Sequence, residues 1–181
     1  MFELFILKGV INMDYPLYRI KNLCELYEDN KTKEFTSLLK EATDLLMSFV
    51  PDEEKFLDDV LEYLSRIKYY DATIIGLYDY DKIAGAAIVA KNEFDAKGST
   101  LYGKNAEIVA FGILDQYLGR NTSDELAEHA LKWLDCTKPL CIVTPRMMNS
   151  IQPVVKDYDW KITESDVKNG MTIKTFNNYS K

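Results

Sequence analysis

Few residues in this sequence are of a type and spacing that could carry chemistry, and several kinds of chemistry are excluded at once. His129 is the only histidine, which removes His-based metal clusters and histidine-dependent nucleophilic triads. Its place between Leu126 and Ala130 predicts a partly exposed helix position. Cys24, Cys136 and Cys141 are odd in number and lack CxxC spacing, so they read as buried free thiols with no metal site. Without a secretory leader they point to a reducing compartment, the cytoplasm. Thr122 and Glu125 have the spacing of a capping box, in which hydroxyl and carboxylate each satisfy a backbone N–H at a helix start. Tyr69-Tyr70 and Tyr78-Asp79-Tyr80 could line a cleft, but aromatics in strands are ordinarily packing residues.

Charge narrows the partners further. Lys and Arg total 22 against 29 for Asp and Glu, a net of −7, with no basic cluster. Nucleic acid is excluded as a partner, since its affinity rests on neutralising phosphates. An acidic surface suits a cationic or amine-bearing partner, or simply confers solubility. No run approaches the roughly 20 apolar residues that cross a bilayer, so no membrane partner is expected.

The elements that would position these groups follow from periodicity. With 181 residues, 47% of them apolar, the chain fits one domain spanning residues 1–181. Met1 to Asn12 lack a basic leading region and a small-residue cleavage site, so they read as an extra strand or, if Met13 is the start, as an extension. A strand is expected near Leu17 to Ile20. Phe35, Leu38, Leu39, Ala42, Leu45, Leu46 and Phe49 then recur at helical spacing. A second helix follows Pro51, which suits a first helical turn, with Asp52, Glu53 and Glu54 at its positive end. Its predicted buried stripe is Phe56, Leu57, Val60, Leu61, Leu64 and Ile67.

From Ala72 the period changes. Thr73 to Tyr80 and Lys82 to Lys91 predict an antiparallel hairpin around Asp81, and Ala106 to Leu114 a long strand. A helix from about Ser123 to Leu134 buries Leu126, Ala127, Ala130, Leu131 and Leu134. A strand at Leu140 to Thr144, a helix near Met148 to Lys156, and strands at Trp160 to Thr163 and Met171 to Phe176 complete the chain. The fold class is α/β, a mixed and mostly antiparallel sheet flanked by helices.

This order resembles the GNAT fold of acyl-CoA-dependent N-acyltransferases. The sharper likeness lies in Ile113-Leu114-Asp115-Gln116-Tyr117-Leu118-Gly119-Arg120-Asn121-Thr122-Ser123, which falls without a gap on the family's strand-to-helix turn, V-x-P-x-Y-R-G-K-G-I-G. Leu126, Ala127, Ala130 and Leu131 match the following helix, and Asp159-Trp160 matches the family's final G-F pair. The Q/R-x-x-G-x-G/A signature departs here, with Leu118 at its polar start, Asn121 at its first glycine and Ser123 at its last. Starting instead from Gln116 would put Gly119 at the first glycine but set the helix leucines one position out of phase.

The resemblance implies a sheet splayed between the fourth and fifth strands, with acetyl-CoA or a related acyl-CoA bound there. Its pyrophosphate would meet backbone donors from Leu118, Gly119, Arg120, Asn121, Thr122 and Ser123 at the helix N-terminus, with Ile113 and Asn149 along the cofactor arm. Asn121 replaces a glycine where Asn best tolerates a left-handed backbone. Asp124 and Glu125 oppose phosphate at that end, and Arg120 offsets part of their charge. Read without the resemblance, Gly119 to Ser123 is a capped turn. Glu107, opening the long strand, resembles a general base, with an exposed strand glutamate as the alternative. Tyr158 is the nearest substitute for the family's acidic tyrosine, whose expected place falls near Val155. Asn149 also suits a helix cap. The implied function is acetyl transfer to a primary amine of a small molecule or peptide, by direct transfer, and a homodimer is compatible with it. The competing reading is a catalytically silent GNAT-like binding or interaction domain.

Overall fold

A computed structural model of the protein describes residues 18–50, 52–92, 105–135, 139–157, 161–168 and 171–177. The expectations for Met1 to Asn12, Cys136, Tyr158 and Trp160 lie outside these residues. Strand β1, Arg19–Asn22, leads into α1, Leu23–Glu28, then α2, Thr32–Met47, and α3, Glu53–Ile67. The hairpin β2, Ala72–Asp79, and β3, Lys82–Asn92, is followed by β4, Asn105–Ile113, and α4, Thr122–Leu134. Then come β5, Leu140–Val143, α5, Met148–Asp157, β6, Lys161–Lys168, and β7, Met171–Asn177.

The seven strands form one sheet in the order β1-β2-β3-β4-β5-β7-β6. Every neighbouring pair is antiparallel except β4 and β5, which run parallel. A parallel neighbour needs a crossover, and α4 supplies it. The β2–β3 turn is two residues long, Tyr80 and Asp81, with Tyr80 at φ 54°.

Helix α2 lies on the face that carries Gly76 and Gly112. A Cβ at Gly76 would stand 2.5 Å from Leu38 Cδ1, and one at Gly112 would stand 2.8 Å from the Phe49 ring. Glycine thus lets α2 and its C-terminal turn approach the sheet closely. On α4, Leu126, Ala127, Ala130, Leu131 and Leu134 are buried as their spacing predicts.

Helix α3 differs from expectation in two ways. It begins at Glu53 with Asp52 as its cap, the carboxylate accepting from the Lys55 N–H at 3.0 Å. Its buried stripe is also narrower: Phe56, Val60 and Ile67 are buried, whereas Leu57 and Leu61 are 42% and 64% exposed. Each sits one position, about 100° of helix turn, past a buried residue. Helix α1 was not foreseen. Asn22 starts it, accepting from the Cys24 N–H at 2.9 Å and the Thr73 hydroxyl at 2.7 Å.

Cys24 and Cys141 are buried free thiols, and burial pushes the Cys141 thiol up to about 12. No helix among the described residues is long and apolar enough to cross a membrane. Among those residues no group of three or more His, Cys, Asp or Glu side chains converges as metal ligands would.

Candidate active site

Strand β4 organises the site. Opposite β3 its register runs Gly112 with Ala86 and Ala110 with Ile88, then Ile108 with Val89 and Glu107 with Ala90. Val109 is the extra residue of a bulge. Strict alternation would put Glu107 on the same face as Val109 and Phe111. The bulge inverts that parity, so Glu107 shares a face with Ala110 and Gly112, the face covered by α2 and α3.

The surroundings of Glu107 agree with this placement. Tyr63 of α3 is half-buried, and its phenol is pushed up to about 12 by burial first and then by the Glu107, Asp59 and Glu62 charges, with Arg66 opposing. The Arg66 guanidinium lies 5.5 Å from the Tyr63 ring centre and donates to the Lys91 carbonyl at 3.1 Å. Glu107 itself is partly buried.

Toward its C-terminus β4 leaves β5. Among the described residues the two strands pair only at Glu107 with Leu140 and at Ile108 with Cys141. Beyond that point the Ile113 N–H, on a residue with no accessible surface, donates to Ser150 Oγ of α5 at 2.9 Å. A helix hydroxyl thus satisfies an amide in the gap. The opening is also tied to the end of α2, because Thr144 Oγ1 donates to the Phe49 carbonyl at 2.7 Å and Arg146 donates to the Ser48 carbonyl at 2.9 Å. Ser150→Ala is expected to leave the Ile113 amide unsatisfied and to cost about 1–3 kcal/mol. Urea unfolding of the two proteins measures it, and unchanged stability would mean that another acceptor replaces the hydroxyl.

After Ile113 the chain turns through Asp115–Tyr117, a short 3-10 helix, into α4. Gly119 has φ 76°, and Asn121 has φ 63° and ψ 11°, both left-handed, so asparagine does adopt the conformation that a glycine would favour. The expected capping box does not form. Thr122 is the first residue of α4, and its hydroxyl donates to the Tyr117 carbonyl at 2.8 Å. Glu125 Oε1 lies 3.6 Å from His129 Nε2, one helical turn along. Asn121, the residue at the cap, makes no side-chain capping bond. The hydroxyl is committed backward by the left-handed turn, which leaves the helix N-terminus without a side-chain cap.

At that end lies a pocket of about 490 Å³ lined by Gly119, Asn121, Thr122, Ser123, Asp124 and Pro153. Thr122 and Ser123 are buried, Leu118 half-buried, and Asn149 exposed in the first turn of α5. The Arg120 guanidinium rests 5.8 Å from the Tyr117 ring centre, beside the pocket rather than in its lining. The structure therefore brings Gly119, Asn121, Thr122 and Ser123 together around one pocket, with Leu118 and Arg120 outside its lining and Ile113 at the adjoining gap. Glu107 stands six residues before Ile113, roughly 20 Å along the strand. Sequence reasoning missed Ser150, Pro153 and Tyr63, which are brought in by helices distant in sequence and carry no local signal.

The arrangement is that of the GNAT fold. A GNAT-family protein from Desulfovibrio desulfuricans matches with a TM-score of 0.60 and 10% identity over 88% of this chain and 97% of that one. The acetyltransferase AAC(6')-Iy, in complex with the bisubstrate analogue CoA-S-monomethyl-acetylneamine, matches at 0.59 and 13% identity over 84% of this chain and 96% of that one. The NatC complex bound to Gag peptide and CoA matches at 0.62 and 10% identity, with 88% and 96% covered. No family model matches the sequence, and no curated protein matches it.

Proposed function

We propose that the protein is an N-acetyltransferase that takes its acetyl group from acetyl-CoA, or a related acyl-CoA, and delivers it directly to a primary amine of a small molecule or peptide. The observation that carries this reading is the parting of β4 from β5 at the same end of the sheet where α4 presents an N-terminus without a side-chain cap. Structural neighbours bound to CoA or a CoA analogue, and to aminoglycoside-like or peptide compounds, support it in kind.

The residues present fit such a cofactor. Backbone N–H groups from Leu118 to Ser123, backed by the α4 dipole, suit a pyrophosphate. The gap beside Ile113 would give its arm a path along β4, and Asn149, exposed in the first turn of α5 next to Ser150, is the proposed polar contact for it. The bound thioester supplies an activated acyl carbon. Glu107, held on a rigid strand, takes the proton of the acceptor ammonium directly or through one water, which frees the nitrogen lone pair for attack on that carbon. With an acyl-CoA bound, the amine nitrogen would bond to the acyl carbon as the carbon–sulfur bond broke, and Tyr158 or solvent would return a proton to the departing sulfur.

The direct test is calorimetry with acetyl-CoA, paired with thermal unfolding. A ligand present at 100 times its dissociation constant is expected to stabilise the fold by about 2.7 kcal/mol. Absence of any heat or stabilisation at millimolar acetyl-CoA would sink the proposal, whereas binding without acetylation of any amine in a screen would leave a silent binding domain. Arg120→Glu is expected to weaken binding about three- to tenfold at low salt, with less effect at high salt and an intact fold. Unchanged low-salt affinity would remove Arg120 from the site.

A further inference from the structure

Phe49, at the end of α2, reaches both strands that border the gap. Its carbonyl accepts from the Thr144 hydroxyl at 2.7 Å, and Thr144 directly follows β5. Its ring lies over Gly112 of β4, where a Cβ would stand 2.8 Å from both Cδ2 and Cε2. Only glycine lets an aromatic ring rest so closely on the strand backbone.

The neighbouring contacts complete a circuit. The Met147 N–H donates to the Thr144 carbonyl at 3.1 Å, and the Ser150 N–H to the Met147 carbonyl at 3.0 Å. Ser150 Oγ accepts from the Ile113 N–H at 2.9 Å, and Ile113 follows Gly112 on β4. The gap is thus ringed from Gly112 through Phe49, Thr144, Met147 and Ser150 back to Ile113. Within this ring the side chains are unequal. Ile113, Met147 and Ser150 are at most 2% exposed and held by packing. Gly112 has no side chain, and Thr144 is small and commits its hydroxyl to Phe49. Phe49 alone is both large and half-buried, with nothing on Gly112 to clamp its ring.

Resting on the acyl-CoA reading, we propose that this ring of contacts is a collar through which the acyl end of the donor passes, and that Phe49 selects short, slender acyl groups such as acetyl over branched or aromatic ones by controlling their entry. The order of residues along β4 requires the passage. The pocket proposed for the pyrophosphate lies beyond Ile113, Glu107 stands at the paired end of the strand, and Gly112 comes between them. An acyl carbon within reach of Glu107 has therefore gone past the Phe49 ring. An acetyl group is no wider than the amide-and-methylene arm behind it and asks nothing more of the collar. A phenyl or branched group is wider than that arm, so the Phe49 ring has to move aside, which close packing resists. Binding that waits on such a movement is slow.

The test is surface plasmon resonance on the immobilised protein with CoA, acetyl-CoA and benzoyl-CoA, for the wild type, Phe49→Ala and Thr144→Val. In the wild type, acetyl-CoA is expected to associate about as fast as CoA, and benzoyl-CoA at least about tenfold more slowly or undetectably. In Phe49→Ala, benzoyl-CoA should associate within about threefold of CoA and also dissociate faster, since a collar slows passage in both directions. Loss of a mere packing residue would instead weaken all three ligands alike. Thr144→Val keeps the shape but releases the Phe49 carbonyl, and should give an intermediate ratio. Equal wild-type association rates for the three ligands, or an unchanged ratio in Phe49→Ala, would overturn the collar and leave the acyl-CoA reading standing. If Phe49→Ala does not fold, an unchanged ratio in Thr144→Val overturns it instead. Absence of binding of all three by the folded wild type overturns the acyl-CoA reading, and the collar with it.

Discussion

Glu107→Gln is expected to lower turnover by roughly 10²–10⁴-fold while acetyl-CoA affinity stays nearly constant. The amide keeps the shape of the carboxylate but has no basic oxygen to accept the ammonium proton. Donor affinity should be spared because Glu107 lies two residues before the Val109 bulge, at the paired end of β4, whereas the pocket opens beyond the other end. A second readout separates catalysis from structure. The Tyr63 phenol, pushed up to about 12 partly by the Glu107 charge, should titrate at lower pH in the variant, as ultraviolet absorbance can follow. With an acceptor identified by screening, full activity in Glu107→Gln would exclude the base role. A parallel loss of donor affinity would indicate that the residue instead supports the cleft.

Phe111→Ala is expected to cost about 3–5 kcal/mol of folding stability. Phe111 is 1% exposed on β4, past both the last pairing with β5 at Ile108 and the bulge at Val109. Its ring fills the core on the side of the sheet opposite Gly112, so truncation removes apolar contacts and opens a cavity beneath the donor strand. Against a typical total of about 5–15 kcal/mol, such a loss should move the urea midpoint markedly with the slope nearly unchanged. A cost under about 1 kcal/mol would show that neighbouring side chains collapse into the space.

Where the sequence repeats a local rule for long enough, it discloses the fold. Leu38, Ala42, Leu45 and Leu46 mark one face of α2 over more than two turns, and the β2–β3 hairpin shows as two β-rich runs around a tight turn. Helix α1 has only six residues, too few for a period to emerge, and its local signal was the capping Asn22. The bulge was illegible because Ile108, Val109 and Ala110 are all ordinary strand residues, and only pairing with β3 shows which one is extra. Leu57 and Leu61 show the reverse limit, since an apolar stripe can be wider than the surface available to cover it.

The candidate site was legible in proportion to how local it is. Gly119 to Ser123 could be located as a turn, but whether Thr122 capped the helix depended on where its hydroxyl rotated. That choice was set by the Tyr117 carbonyl five residues earlier. The gap beside Ile113 depends on a serine 37 residues away, and the pocket at the start of α4 on Pro153 of α5. Such partners are selected by three-dimensional packing and leave no spacing to read.

The hydroxyl that occupies the Ile113 amide bears on how a guest would arrive. The two strands are already apart, and the amide at their fork already has its partner, so no strand-to-strand bond must rupture before an elongated molecule slides between them. The entropy of holding the fork open is charged to folding rather than to the encounter. The fork therefore serves as a preformed slot rather than a hinge, and discrimination among guests falls to the shape and charge of its walls.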